Sequence, residues 1–173
     1  MSNDTIKPRL RFFENSAGQQ HIPEKDKYLY AMTPPTHRLA IIGTGTIGQE
    51  HMRVTRLLGR ACVHGIFDSE QRSIDVALEN FAALEASFPE GQRQPAPIVY
   101  PNLVSVCNDP TIDALMICTP NFTHFEVLKV AMASGKPIFL VKPLATTLSD
   151  APAHVALARR PARLVEIGLQ YRY

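Results

Sequence analysis

The sequence predicts a doubly wound α/β domain on a mainly parallel six-stranded sheet, and three observations carry that expectation. From Arg38 onward, short apolar runs alternate with amphipathic stretches, the pattern of parallel strands joined by crossover helices. The segment Ile41-Ile42-Gly43-Thr44-Gly45-Thr46-Ile47-Gly48 spells G-x-G-x-x-G between a strand-like and a helix-like run. About twenty residues further on, where such a sheet places an acid at the end of its second strand, Asp68 closes the apolar run Ala61–Phe67.

Taken in order, the first strand lies near Leu39 to Ile42. A helix follows from about Thr46 to Leu58, with Ile47, Val54, Leu57 and Leu58 on one face and Gly59 as its stop. The second strand ends at Asp68. Ile74, Ala77, Leu78, Phe81, Leu84 and Phe88 then recur at helical spacing until Pro89-Glu90-Gly91 breaks the run, and Gln92 to Pro97 reads as a surface loop. Ile98 to Tyr100 is a brief third strand, Leu103 to Cys107 a short helix, and Asp113 to Cys118 a buried fourth strand. After the turn Thr119-Pro120-Asn121, a helix from about Thr123 to Ser134 opens on the capping-box pattern Thr123-x-x-Glu126 and closes at Gly135. Pro137 to Val141 gives a fifth strand, Ser149 to Arg160 a helix with Ser149 as its N-cap, and Leu164 to Leu169 a sixth strand.

The 173 residues suffice for one domain of ordinary size, assigned to 37–173, with residues 1–36 as an irregular extension of mixed charge and frequent proline. Phe12, Phe13, Tyr28 and Tyr30 give that extension something to pack with. A formal net charge of +2 carries no nucleic-acid signature, and no apolar stretch is long enough to span a membrane. Neither nucleic acid nor membrane is therefore an expected partner. Cys62, Cys107 and Cys118 form no C-x-x-C, and the six histidines form no metal-ligand cluster, so the expectation is no metal and buried thiols of a cytoplasmic protein.

The glycine loop has a chemistry. Gly43 turns out of the strand, Gly45 leaves the backbone bare for a pyrophosphate, and Gly48 lets the helix lie close on the sheet. Free N–H groups at the helix start, around Thr46 and Ile47, would hold the phosphate oxygens. Asp68 can accept hydrogen bonds from the adenosine ribose and repel a 2'-phosphate, which favours NAD over NADP; alternatively, with Ser69, it caps the next helix. Arg72 keeps NADP as the weaker option, because a guanidinium could pair with that phosphate.

Several further segments fall at the spacing of a known family. These are Asp109-Pro-Thr-Ile-Asp113, Cys118-Thr-Pro-Asn-Phe-Thr-His124, Ala131-Met-Ala-Ser-Gly-Lys-Pro137, Lys142-Pro-Leu-Ala-Thr146 and Gly168-Leu-Gln-Tyr-Arg172. With the glycine loop they make residues 38–173 resemble the N-terminal, Rossmann-type NAD(P)-binding domain of the Gfo/Idh/MocA oxidoreductases, the glucose-fructose oxidoreductase and inositol dehydrogenase family. The resemblance implies that Cys118, Thr119, Pro120 and Asn121 border the cofactor and that His124 lies near its nicotinamide half. It further implies that Lys142 reaches the nicotinamide ribose and the substrate, as a candidate catalytic group. From the residues alone, His124 could hydrogen-bond locally and Lys142 could be a solvated surface lysine.

Two departures accompany the resemblance. The family pattern Glu-Lys-Pro is here Val141-Lys142-Pro143, so an apolar group replaces a carboxylate beside the lysine. The family's second domain, which carries the substrate pocket, would begin just after Tyr171-Arg172-Tyr173. Complete members pass hydride between a sugar- or polyol-like carbon and nicotinamide, so the resemblance implies a truncated chain that binds dinucleotide but is inactive alone. A stand-alone nucleotide-binding or sensor module, and a decayed non-catalytic relative, are the alternatives. The oligomeric state is not legible.

Overall fold

The computed structural model describes residues 37–145, 151–158 and 164–168. Six parallel strands, β1 (His37–Ile42), β2 (Ala61–Phe67), β3 (Ile98–Val99), β4 (Ala114–Ile117), β5 (Ile138–Val141) and β6 (Val165–Gly168), form one sheet in the order β3-β2-β1-β4-β5-β6. The strand order reverses direction between β1 and β4, and a parallel sheet with this order opens a ligand crevice at that switch point, outside the carboxyl ends of its strands. The residues 1–36 read as an irregular extension, and Ser149 as a helix cap, lie outside the described residues.

Alternation along the strands divides the core into two layers. Ala40, Ile42, Leu115, Ile117, Ile138 and Leu140 point to one face and pack with Val106, Leu128 and Met132 of α3 (Leu103–Asn108) and α4 (His124–Ala133). Ile41, Val63 and Ile66 point to the other and meet Met52, Ile74, Ala77 and Phe81 of α1 (Thr46–Leu58) and α2 (Gln71–Ala86). A fifth helix, α5 (Ala151–Ala158), lies against α4. Burying branched side chains on both faces explains why β1 and β4 read as continuous apolar runs rather than alternating ones.

Several boundaries differ from the sequence expectation, each for a local reason. The buried stripe of α1 is Gly48, Met52, Thr55 and Arg56, whereas Ile47, in the first turn, faces the crevice and is 53% exposed. Arg56 is admitted to the interior by Glu85 of α2, whose carboxylate it meets through Nε and, at 3.1 Å, through Nη2. The same guanidinium lies 3.7 Å from the centre of the Phe88 ring and donates to the Gln92 carbonyl at 2.7 Å. No capping box forms at Thr123: its hydroxyl donates to the Pro120 carbonyl at 2.7 Å and lies within hydrogen-bond distance of the Thr119 hydroxyl, 2.8 Å away, closing a 3₁₀ turn over Asn121–Thr123. The loop 92–97 is not wholly on the surface, since Pro97 is buried. The N-cap that forms as chemistry predicts is Asn102, whose Oδ1 accepts from the Ser105 amide at 2.8 Å.

At the opposite end of the sheet, polar side chains tie the strands together. Asp113 Oδ2 accepts from the Arg38 amide at 2.7 Å. Asp109 accepts from the Thr111 amide, the Thr111 hydroxyl and the Tyr100 hydroxyl at 2.7, 2.6 and 2.6 Å. Those hydrogen bonds, Thr111 foremost, hold the Asp109 carboxyl down at about 2. These two aspartates of the Asp109-Pro-Thr-Ile-Asp113 segment thus shape the turn into β4, far from the crevice.

Candidate cofactor site

The glycine loop leaves β1 with Gly43 at φ +94°, and a Cβ there would lie 2.7 Å from the backbone of Cys118 and Thr119. The Gly43 amide donates to the Phe67 carbonyl at 2.8 Å, so the turn is clasped between β2 and the end of β4. A Cβ on Gly48 would lie 2.0 Å from the Gly43 carbonyl oxygen, the close approach of helix to loop that the motif predicts. Gly45 is different. A Cβ built on it meets nothing within 4 Å, so its bareness serves space outside the protein rather than packing within it. Gly45 is also the N-cap of α1, with no side-chain capping bond, which leaves the N–H groups of the first turn pointing outward.

Beside this turn lies a crevice of about 660 Å³, formed by the start of α1 and the carboxyl ends of β4, β5 and β6. It gathers Gly45 and Ile47 from the loop and helix, Cys118, Thr119, Pro120 and Asn121 from the turn after β4, and Val141 and Lys142 from the end of β5. Lys142 is exposed there. Burial pushes the Cys118 thiol up to about 12, so it lines the wall as a neutral apolar group. The donors at one end and the apolar wall at the other suit a ligand with an anionic and a flat apolar part, as a dinucleotide has.

Asp68 sits just past β2, and its carboxylate turns toward the glycine loop. Oδ2 accepts from the Thr44 amide at 2.6 Å and the Thr44 hydroxyl at 3.2 Å, while Oδ1 accepts from the Glu70 amide at 3.0 Å. It is not the cap of α2, whose N-cap is Glu70. His124 lies below the crevice wall rather than in it. Its ring is 0% exposed, with Nδ1 2.9 Å from the Pro143 carbonyl oxygen and Nε2 3.0 Å from that of Thr119. The local hydrogen bonding that the residues alone allow is thus what the ring makes, and through it α4 braces the two turns that carry Asn121 and Lys142.

Two residues that line the crevice, His51 and Phe139, were not among the expected site residues. His51, in the second turn of α1, lines the floor and meets Phe139 of β5 edge-on, ring centres 5.7 Å apart. Burial draws its imidazole below the ordinary value, with the Glu50 carboxylate opposing part of that. Its spacing from Gly48 was visible, but nothing local marks a helical histidine as facing a strand nearly ninety residues away.

The family model described as an oxidoreductase family with an NAD-binding Rossmann fold matches residues 37–169. The chain belongs to the Gfo/Idh/MocA oxidoreductases. Among its relatives, the inositol 2-dehydrogenase of Paracoccus denitrificans is 31% identical over 140 residues, covering 80% of this chain and 38% of that protein. That of Acidiphilium cryptum is 33% identical over 143 residues, with the same two coverages. The solved structure of myo-inositol dehydrogenase from Lactobacillus casei, in complex with NAD(H) and myo-inositol, superposes with a TM-score of 0.67 at 29% identity, over 79% of this chain and 38% of that one. The chain therefore spans well under half the length of the relatives it matches. Among the described residues, no helix is long and apolar enough to cross a membrane, and no group of side chains could hold a metal ion.

Proposed function

We propose that this chain is the cofactor-binding half of an NAD-dependent dehydrogenase acting on a polyol or sugar, with residues 37–173 as the binding domain. The observation that carries the reading is the first turn of α1, uncapped by any side chain, whose Gly45 and Ile47 open on a crevice at the switch point of the sheet. In this reading those N–H groups hold the pyrophosphate, Asp68 accepts from the adenosine ribose, and Thr119, Pro120 and Asn121 border the nicotinamide ribose. NAD would supply the hydride-accepting carbon; Lys142, at the mouth of the crevice, orients the substrate hydroxyl oxygen or, when hydride returns from NADH, protonates the carbonyl oxygen. The inositol dehydrogenases among the relatives support a polyol, and three free cysteines support a reducing, cytoplasmic compartment. The substrate pocket would be completed by additional polypeptide.

Fluorescence titration of the 173-residue chain with NADH and NADPH tests the proposal. The expected result is tighter binding of NADH, by on the order of 1–3 kcal/mol, because a 2'-phosphate would face the Asp68 carboxylate. Equal or reversed affinities would remove Asp68 from the site, and loss of all binding would remove the function. A binding module without turnover is a second reading, favoured by Val141, whose apolar side chain lines the crevice beside Lys142.

A further inference from the structure

We infer that Thr44, the residue between the first two glycines of the loop, determines cofactor specificity by holding Asp68 in place. A carboxylate at the end of β2 rejects a 2'-phosphate only if it stays where the phosphate would come; a free aspartate turns about its Cα–Cβ bond and relieves the repulsion at small cost. Asp68 is not free. The amide and hydroxyl of Thr44 both donate to Oδ2, at 2.6 and 3.2 Å, and the Glu70 amide holds Oδ1 at 3.0 Å. Thr44 is itself enclosed: it is 0% exposed, and its carbonyl accepts from Gln49 Nε2 of α1 at 2.8 Å. The Gln49 side-chain oxygen in turn accepts from Asn80 Nδ2 of α2 at 2.8 Å. A chain of hydrogen bonds thus runs from α2 through α1 and the loop to the acid, and the hydroxyl of Thr44 is the loop's direct contact with the acid that a side-chain change removes without touching the backbone turn.

The inference rests on the proposed dinucleotide site and adds a positioning residue to it. Thr44→Val keeps the volume and the amide donor but deletes the hydroxyl, so the NADH-over-NADPH preference should narrow by about threefold or more, chiefly through tighter NADPH binding. Thr44→Ser should keep the wild-type preference. In an Asp68→Ala background, Thr44→Val should leave the ratio unchanged, because there is no carboxylate left to hold. Circular dichroism on the same samples reports folding. If Thr44→Val does not fold, Thr44→Ser against Thr44→Ala, which differ by the hydroxyl alone, carries the same expectation. An unchanged preference in Thr44→Val, or an equal change in the Asp68→Ala background, overturns the role of Thr44 while leaving the dinucleotide site standing. Failure of the wild-type chain to bind NADH overturns the site and this inference together.

Discussion

Gly45 and Gly48 stand three positions apart and face different neighbours, so replacing them should fail in different ways. A side chain at Gly45 enters open space, and Gly45→Val should therefore fold with nearly wild-type circular dichroism while losing NADH binding. At Gly48 a methyl group would drive into the Gly43 carbonyl, and Gly48→Ala should lose about 3 kcal/mol of stability in a urea melt. Normal NADH binding by Gly45→Val would reduce the loop to a strand-to-helix turn. His51 offers a test by pH. Its folded value lies below the ordinary 6.5, so just under that pH the unfolded chain binds more protons than the folded one. The contribution of neutral His51 is complete above the unfolded value and is lost as pH falls through the window beneath it. Stability should therefore drop more steeply in the wild type than in His51→Gln as pH falls below the ordinary 6.5, and parallel curves would show that burial costs this ring nothing.

Between α1 and α2 the decisive contact is ionic. Arg56 and Glu85, 7% and 8% exposed, satisfy each other, and their spare hydrogen-bonding groups reach Gln92 and Gln94, so the pair also fastens the loop that leads into β3. Removing one partner strands a buried charge. Arg56→Met alone should cost about 3–5 kcal/mol by chemical denaturation, and Arg56→Met with Glu85→Met should recover much of it. Additive losses in the double variant would mean that packing around Phe88, not charge, sets the cost. On the other layer, α4 reaches the site through His124, so the crevice wall depends on an element that contributes no donor to its ligand.

At the scale of the whole molecule, no described residue closes over the crevice, and Lys142 is exposed at its mouth. Hydride transfer needs a carbon held against the nicotinamide and water kept away, and positioning alone can supply roughly 7–11 kcal/mol of a barrier. The 173-residue chain should therefore bind NAD yet show no steady NADH production across a panel of inositols, other polyols and sugars. Absorbance at the NADH band checks this, with Lys142→Ala as control. Robust turnover abolished by that substitution would make the chain a complete catalyst and refute its assignment as half of one.

What the sequence determined by itself was whatever depends on near neighbours in the chain. The order of strands and helices follows from apolar periodicity, and the loop Gly43–Gly48 from backbone space that only glycine leaves, so both were legible before any contact was known. The crevice residues after β4 and β5 were legible through the family pattern. Only the tertiary structure decided how polar groups are shared. Asp68 spends its carboxylate on Thr44, 24 positions away; His124 spans two carbonyls, one of them 19 positions on; Arg56 is buried because Glu85, 29 positions away, arrives beside it. Each of these side chains has several hydrogen bonds it could make, and which one it makes is settled by the partner that folding brings within reach.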